Sequence, residues 1–253
     1  MSIVSWIVDR EVPGGRIRGG FTNRYGGASS ESPEEFNLGL HVGDDPRIVL
    51  GHRDALGQEL GVAPGWMDQV HGARIGRSLA SETLPETDGM VVGAGDAAVQ
   101  AGCVMVADCV PLLLLREDEP LGAVVHVGRA GFLQGIAAKA VETLGGPECT
   151  IAVIGPSICG NCYEVPEALR DQAALIQPSS AGTTSWGTPS IDIPGGLRSQ
   201  LEQCGVDEVI EIGICTRESD ELFSHRRASA LGEKAGRFVG IVQTIRDTPS
   251  QLP

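Results

Sequence analysis

Three short segments of this chain carry side chains that can attack, bind a metal or move a proton: Gln69-Val70-His71-Gly72, Ala107-Asp108-Cys109-Val110-Pro111 and Val125-His126-Val127-Gly128. A thiolate and two neutral imidazoles form a ligand set for zinc that leaves a fourth position for water or substrate. A zinc ion in such an open site polarises what it binds and acidifies a bound water toward neutrality. The same atoms support a second chemistry, with Cys109 as a thiolate nucleophile and a histidine as its base. The catalytic candidates are His71, Cys109 and His126, with Asp108 or Asp88 as a carboxylate able to shuttle a proton. Spacing does not choose between these chemistries and plain structural roles. The three residues stand 38 and 17 positions apart, unlike any compact zinc finger. Scattered Cys and His side chains are commonly buried parts of a core.

The flanking residues say what must hold them. Gly102–Ala107 and Leu121–Val127 read as buried strands, and Val110–Leu115 is a strand-sized apolar run. Asp108-Cys109 and His126 therefore sit at strand ends, which deliver side chains into a cleft with little slack. Pro46–Gly61 predicts a helix, with Ile48, Leu56 and Leu60 at helical spacing and Gly61 closing it. Further helices are expected over Gly131–Leu144, Pro166–Ile176 and Gly195–Cys204, and further strands over Thr150–Ile154, Val209–Cys215 and Phe238–Ile245. Gln177–Thr188 reads as a loop and Asp247–Pro253 as a frayed tail. Strands and helices mix without strict alternation, which points to an α/β layered sandwich with a mixed sheet, one domain over residues 1–253. A dinucleotide-binding unit has no support: Gly93-Ala94-Gly95 lacks a third glycine in register and opens no helix.

Composition narrows the partners. A formal net charge of −14 argues against nucleic acid and anionic membranes, yet leaves room for a small anion in a locally basic pocket. Arg24, Arg129, Arg226 and Arg227 are the cations of interest, the last two also readable as a surface pair. Aromatic residues make up only 4% of the chain, too few for a base-stacking surface. No apolar run approaches a membrane span, and Met1–Arg10 lacks the basic start and apolar core of a secretory signal, so a cytosolic location is expected. Seven cysteines are an odd number for a disulfide framework, and most are expected as small buried hydrophobes. Cys159-Gly160-Asn161-Cys162 is a CxxC with no second CxxC and no thioredoxin-like unit around it. Trp66 is expected in the core and His52 exposed on its helix; His41 reads as solvated near the pocket, and Asn37 as a turn residue or substrate contact.

Longer stretches carry more information. Phe21-Thr22-Asn23-Arg24-Tyr25-Gly26-Gly27-Ala28-Ser29, Phe36-Asn37-Leu38-Gly39, the His71 segment, Thr87-Asp88-Gly89, the Cys109 segment, Gly155-Pro156-Ser157-Ile158 and Cys162-Tyr163-Glu164-Val165 occur in that order. Thr216-Arg217, Phe223-Ser224-His225-Arg226-Arg227 and Gly236-Arg237-Phe238 follow. Together they resemble the bacterial YfiH-like family, also labelled the laccase-domain or multicopper polyphenol oxidase family, over about Arg18 to Val242.

The resemblance implies an α/β domain related to toxin-type cysteine hydrolases, with a metal site at His71, Cys109 and His126 that binds zinc. It implies purine nucleosides and phosphate as small-molecule substrates, by phosphorolysis of adenosine, inosine, guanosine or methylthioadenosine, and deamination of adenosine. Arg24, Asn37 and Arg129 become the substrate-binding candidates, with the Gly26-Gly27 N–H groups beside them. A second implied role is editing of peptidoglycan precursors by a cysteine-type amidase; a third reading is a non-enzymatic partner of the wall machinery. One departure bears on substrate. The family's His-x-Gly-Trp-Arg-Gly is here His126-Val127-Gly128-Arg129-Ala130-Gly131, with the arginine one position earlier. The oxidase label fails a count: the chain has five histidines and no His-x-His, too few imidazoles for a copper cluster, although one copper is possible at the His/His/Cys set.

Overall fold

A run such as Val110–Leu115 has no polar face to turn to water, so it is stable only as a strand covered on both sides. The computed structural model describes residues 2–28, 35–77, 83–93, 95 and 99–247, and in it this strand is buried along its whole length. In chain order the elements are β1 (Val4–Val12), β2 (Gly15–Thr22), α1 (Pro46–Leu60), β3 (Trp66–Met67), β4 (Ile75–Arg77), β5 (Thr83–Leu84), β6 (Gly89–Val92), β7 (Ala101–Val106), β8 (Val110–Arg116) and β9 (Gly122–Val127). There follow α2 (Arg129–Leu133), α3 (Ile136–Thr143), β10 (Thr150–Ile154), α4 (Glu167–Ile176), β11 (Ala181–Thr183), β12 (Pro189–Ile191), α5 (Ile193–Gln203), β13 (Glu208–Glu211), α6 (His225–Leu231) and β14 (Phe238–Arg246).

Two sheets make the centre. One has the order β1-β2-β14-β7 with all neighbours antiparallel. The other has the order β13-β10-β8-β9-β6-β4 and is mixed, parallel at β10/β13 and β4/β6 and antiparallel elsewhere. The period of two in β8 splits its leucines between two cores. Leu113 and Leu115 face the other sheet, where Ile17, Phe21, Val104 and Phe238 meet them. Leu112 and Leu114 face Phe132, Ile136, Ala140 and Leu197 on the helices. The outer side of the first sheet, through Cys103, Met105 and Ile241, receives Leu56 and Leu60 of α1. The layers are therefore helix, sheet, sheet, helices, the mixed-sheet α/β sandwich that the sequence pattern predicts. No helix among the described residues is long and apolar enough to cross a membrane.

Several local expectations need correction. The helix expected over Gly131–Leu144 is two helices, because Gly135 takes a left-handed φ of 69° and interrupts the helical run between α2 and α3. The strand expected over Val209–Cys215 stops at Glu211, and the loop over Gln177–Thr188 contains a 3₁₀ turn and β11. In α1 the buried stripe is Val49, His52, Leu56 and Leu60, so His52 is buried rather than exposed. Its Nδ1 lies 2.8 Å from the Asn37 carbonyl and its Nε2 accepts from the Ala28 N–H at 2.9 Å, which is how a polar ring is tolerated there. Trp66 is buried in the core as expected, with the Arg53 guanidinium over its ring. The expected C-terminal tail lies, beyond Asp247, outside the described residues, as does Ala94 of the glycine pair.

Leu113→Ala should lower unfolding stability by about 2–5 kcal/mol, since it opens a cavity between two sheets that cannot collapse independently. Guanidinium unfolding monitored by circular dichroism measures it, and a loss below about 1 kcal/mol would contradict the packing described.

Candidate active site

The register of the mixed sheet brings the reactive segments together. β8 runs antiparallel to β9, with Val110 opposite Val127 and Pro111 opposite His126. β9 in turn runs antiparallel to β6, with Gly89 opposite Val125. The start of β8, the end of β9 and the start of β6 therefore share one end of the sheet, which carries Cys109, His126 and Asp88. β4 is parallel to β6, so the loop before it reaches the same end and supplies His71. One donor atom each from His71, Cys109 and His126 lie within 4.8 Å of one another. The two imidazoles stand edge to face, 4.7 Å between centroids and 78° between planes.

Asp88 organises this group. It is fully buried, and its Oδ1 accepts from His126 Nδ1 at 2.8 Å and from the His71 N–H at 2.9 Å. Its Oδ2 accepts from the Gly72 N–H at 2.7 Å and the Val70 N–H at 3.3 Å. One carboxylate thus aims His126 so that Nε2 is left for the trio, and at the same time fixes the loop that presents His71. Asp88 is a positioning group rather than a simple turn residue.

Two non-glycine residues at the site have positive φ, His71 at 61° and Asp108 at 94°. Each such conformation costs on the order of 1–3 kcal/mol and persists only when neighbours over-determine it. His71 is held by Asp88. Asp108 is held at three points: its carbonyl accepts from Ile158 N at 2.9 Å, Oδ1 from Thr216 Oγ1 at 2.6 Å, and Oδ2 from Arg226 N at 2.7 Å. Both carboxylate oxygens of this expected proton shuttle are engaged in holding the turn that presents Cys109. Gly128 leaves room for the trio. A Cβ there would stand 2.9 Å from His71 Cδ2 and 3.4 Å from Cys109 Sγ.

The electrostatics couple the three residues. Burial alone would push the Cys109 thiol up, but the charge and hydrogen bonds of His126 and His71 outweigh it and bring the thiol down to about 6. Burial opposes protonation of His126, and Cys109 with Asp88 overcome it, raising the imidazole to about 9. Without a metal, then, the pair rests as thiolate and imidazolium near neutral pH.

The trio opens into a cavity of about 440 Å³ lined also by Asp108, Arg129, Tyr163, Arg226 and Arg237 and by apolar Met105, Ile158 and Ile193. Arg129 reaches it despite its shifted place in the motif. Arg226, whose guanidinium lies over the Tyr163 ring, lines it too, while Arg227 donates to the carbonyls of Thr216, Ser219 and Leu222 and is a brace. His41 belongs to this lining as well. Arg24 and Asn37 do not. They border a neighbouring cavity of about 580 Å³, where Arg24 pairs with Glu35 and stacks over Phe223. Asn37 donates to Gly39 O and Asp44 Oδ2 and accepts from Gly39 N and Arg237 N, so its amide is fully engaged in the protein. Reasoning from the sequence passed over Tyr163 and Arg237 as site residues. The available signal was their place in two of the motifs, Cys162-Tyr163-Glu164-Val165 and Gly236-Arg237-Phe238.

A family model described as "Multi-copper polyphenol oxidoreductase laccase" matches residues 18–245. The chain belongs to that family. It is 40% identical over 227 residues to a Streptomyces coelicolor protein named purine nucleoside phosphorylase, covering 86% of this chain and 93% of that one. Among solved structures it resembles a Neisseria meningitidis protein of family DUF152, with a TM-score of 0.84 at 26% identity over 98% of this chain and all of that one. A Bacillus licheniformis protein, YfiH, aligns with a TM-score of 0.80 at 26% identity, covering 90% and 92%.

The family's description does not fit the imidazole inventory. Of the five histidines, only His71 and His126 join a thiol among the described residues, and His52 is buried on the inner face of α1. The donor set does fit one ion that accepts nitrogen and sulfur, because the Asp88 bond to Nδ1 fixes the free nitrogen of His126 on the trio.

In metal-free protein, the rate of Cys109 alkylation by iodoacetamide should rise through about pH 6 and be flat above about pH 7, as thiolate forms early. Asp88→Asn removes the support for the imidazolium, so the midpoint should move upward toward the ordinary thiol range. Peptide mass spectrometry reads the site, and an unchanged midpoint in the variant would sink the positioning role of Asp88.

Proposed function

We propose that this chain is a zinc-dependent purine nucleoside phosphorylase that also deaminates adenosine and splits methylthioadenosine. The observation that carries the reading is the convergence of His71, Cys109 and His126 within 4.8 Å at a cavity lined by three arginines and by apolar side chains. Its size suits a nucleoside with phosphate, being within the range of about 300–1,000 Å³ usual for small ligands. The name carried by the Streptomyces relative supports the same substrate class.

His71, Cys109 and His126 would hold the zinc, which when bound supplies a Lewis acid at the reacting end of the substrate. Arg129, Arg226 and Arg237 bind the phosphate and bring one of its oxygens to the anomeric carbon of the ribose. As that bond forms, the glycosidic bond breaks and its electron pair leaves with the purine. The arginines keep the phosphate fixed while positive charge develops on the sugar. Burial above all raises the Tyr163 hydroxyl beyond the ordinary phenol range, so it stays protonated and can donate into the cavity beside Arg129. Asp108 is the one carboxylate among the lining residues and is the proton carrier for deamination, alongside its bracing role. Met105, Ile158 and Ile193 offer the apolar surface for the base. The protein works in the cytosol, consistent with seven free cysteines.

A second reading rests on the Cys109–His126–Asp88 line. A thiolate, an imidazolium and a buried carboxylate in that order are the parts of a cysteine amidase, for which a peptidoglycan precursor such as a UDP-MurNAc amino acid is the substrate class.

Cys109→Ala should cut base release from inosine plus phosphate by more than about 100-fold, since groups that merely orient a ligand are already worth about 10–100-fold. Unchanged turnover would end the proposal. Stripping the metal with a chelator separates the two readings, because nucleoside chemistry should stop while cleavage of a UDP-MurNAc amino acid by Cys109 should continue.

A further inference from the structure

The CxxC that the site chemistry leaves unused is not alone in space. Cys159-Gly160-Asn161-Cys162 meets a second pair with the same spacing, Cys215-Thr216-Arg217-Glu218. One donor atom from each of Cys159, Cys162, Cys215 and Glu218 lies within 4.8 Å of all the others. We propose that these four residues form a second metal site, taking a thiophilic divalent cation of the zinc class and clamping together the two loops that brace Cys109.

The two pairs are built alike. Cys162 N and Tyr163 N donate to Cys159 O at 3.0 and 2.9 Å, and Glu218 N and Ser219 N donate to Cys215 O at 3.2 and 3.0 Å. Each turn thereby turns its first and fourth side chains toward the other. The turns are also joined: Ser157 N donates to Ile214 O at 3.2 Å and Thr216 N to Ser157 O at 3.0 Å. Cys159 N points at Cys215 Sγ at 3.5 Å, the N–H to sulfur contact that steadies a thiolate ligand, and Cys162 Sγ is 3.5 Å from Glu218 Oε1. A tetrahedral zinc ion with sulfur ligands at about 2.3 Å sets neighbouring sulfurs roughly 3.8 Å apart. The cluster needs only a small contraction to reach that geometry.

Ligand type and surroundings agree with a cation. Three thiolates with one carboxylate is a set chosen by zinc-like ions over hard ions such as magnesium. Cys162 and Cys215 are buried while Glu218 is at the surface, so the sulfurs are shielded and the carboxylate closes the rim. A cavity of about 200 Å³ bordered by Ser157, Cys159 and Cys215 gives an entry path. The Arg227 guanidinium donates to the carbonyls of Thr216, Arg217 and Ser219 and so fixes the turn that carries Cys215 and Glu218. A disulfide between Cys159 and Cys162 would leave the convergence of Cys215 and Glu218 without purpose.

The position gives the ion a task. Thr216, next to Cys215, holds the Asp108 carboxylate, and Ile158, next to Cys159, holds the Asp108 carbonyl. The clamp thus secures both supports of the strained turn that presents Cys109.

The test uses the full chain carrying His71→Ala and Cys109→Ala, so that its outcome is independent of the first site, and cobalt(II) or zinc as the probe. It should take up cobalt in stoichiometric amount with a thiolate-to-cobalt charge-transfer band, and zinc should raise its melting temperature. Adding Cys162→Ser should abolish both effects. Glu218→Gln, a surface change that leaves the fold alone, should release cobalt to a chelator faster, which keeps the test open where Cys162→Ser fails to fold. Absence of the band in the His71→Ala/Cys109→Ala chain would overturn the proposal. So would a Cys159–Cys162 disulfide found by mass spectrometry in protein purified under reducing conditions, or cobalt retention unchanged by Glu218→Gln.

Discussion

A buried carboxylate without donors is among the most costly groups a protein can enclose, and Asp88 is fully buried. It is tolerated because it gathers three backbone N–H groups and one imidazole around its two oxygens. That requirement fixes more than the aspartate. The N–H groups belong to Val70, His71 and Gly72, so satisfying Asp88 forces the preceding loop into the conformation that gives His71 its left-handed backbone. The imidazole is His126, so the same bonds determine which of its nitrogens meets Cys109. Without Asp88 the loop, the ring and the thiol would have no common reference.

The rest of the molecule sets where that carboxylate lies. Consecutive antiparallel pairing of β8, β9 and β6 puts one start, one end and another start at a single end of the sheet. Because β8 is apolar on both faces, neither side can be uncovered, and the sheet is locked between helices and a second sheet. A shift of one residue in the β8/β9 register would turn His126 to the opposite face and part it from Cys109. The rigidity needed to hold two strained residues near the thiol comes from this two-sided burial.

Charge is distributed against the average of the chain. A protein of net charge −14 gathers Arg129, Arg226 and Arg237 around one cavity, where the thiolate and Asp108 offset them. Arg24 and Arg227, equally visible in the sequence, go to an ion pair and to a turn of carbonyls. The family's oxidase description meets the same limit of inventory. Two converging imidazoles and a thiol can bind one ion; His41 and His225 line the same cavity without joining that group, and His52 is buried elsewhere.

The residues by themselves determined the strand-ending positions of Cys109 and His126, the unbroken apolar run behind β8, the period-3.6 pattern behind α1, and the layered α/β class. Those follow from local periodicity and from the need to bury apolar runs, which a chain carries residue by residue. The tertiary structure alone decided which polar residues meet. Asp88 lies 38 positions from His126, and no local rule joins a turn-like Thr87-Asp88-Gly89 to an imidazole in another strand. Asn37 and Arg24 stand in motifs of the same ordered series as the site residues yet border a different cavity, where Asn37 accepts from Arg237 N and Arg24 pairs with Glu35. His52 looked exposed among polar neighbours, but the buried stripe of α1 passes through it. The CxxC stands alone in the sequence for the same reason: its companions, Cys215 and Glu218, arrive only when two distant loops are bridged at Ser157. Periodicity is written into neighbouring residues, whereas hydrogen-bond partners and ligand sets depend on the register of strands far apart in the chain.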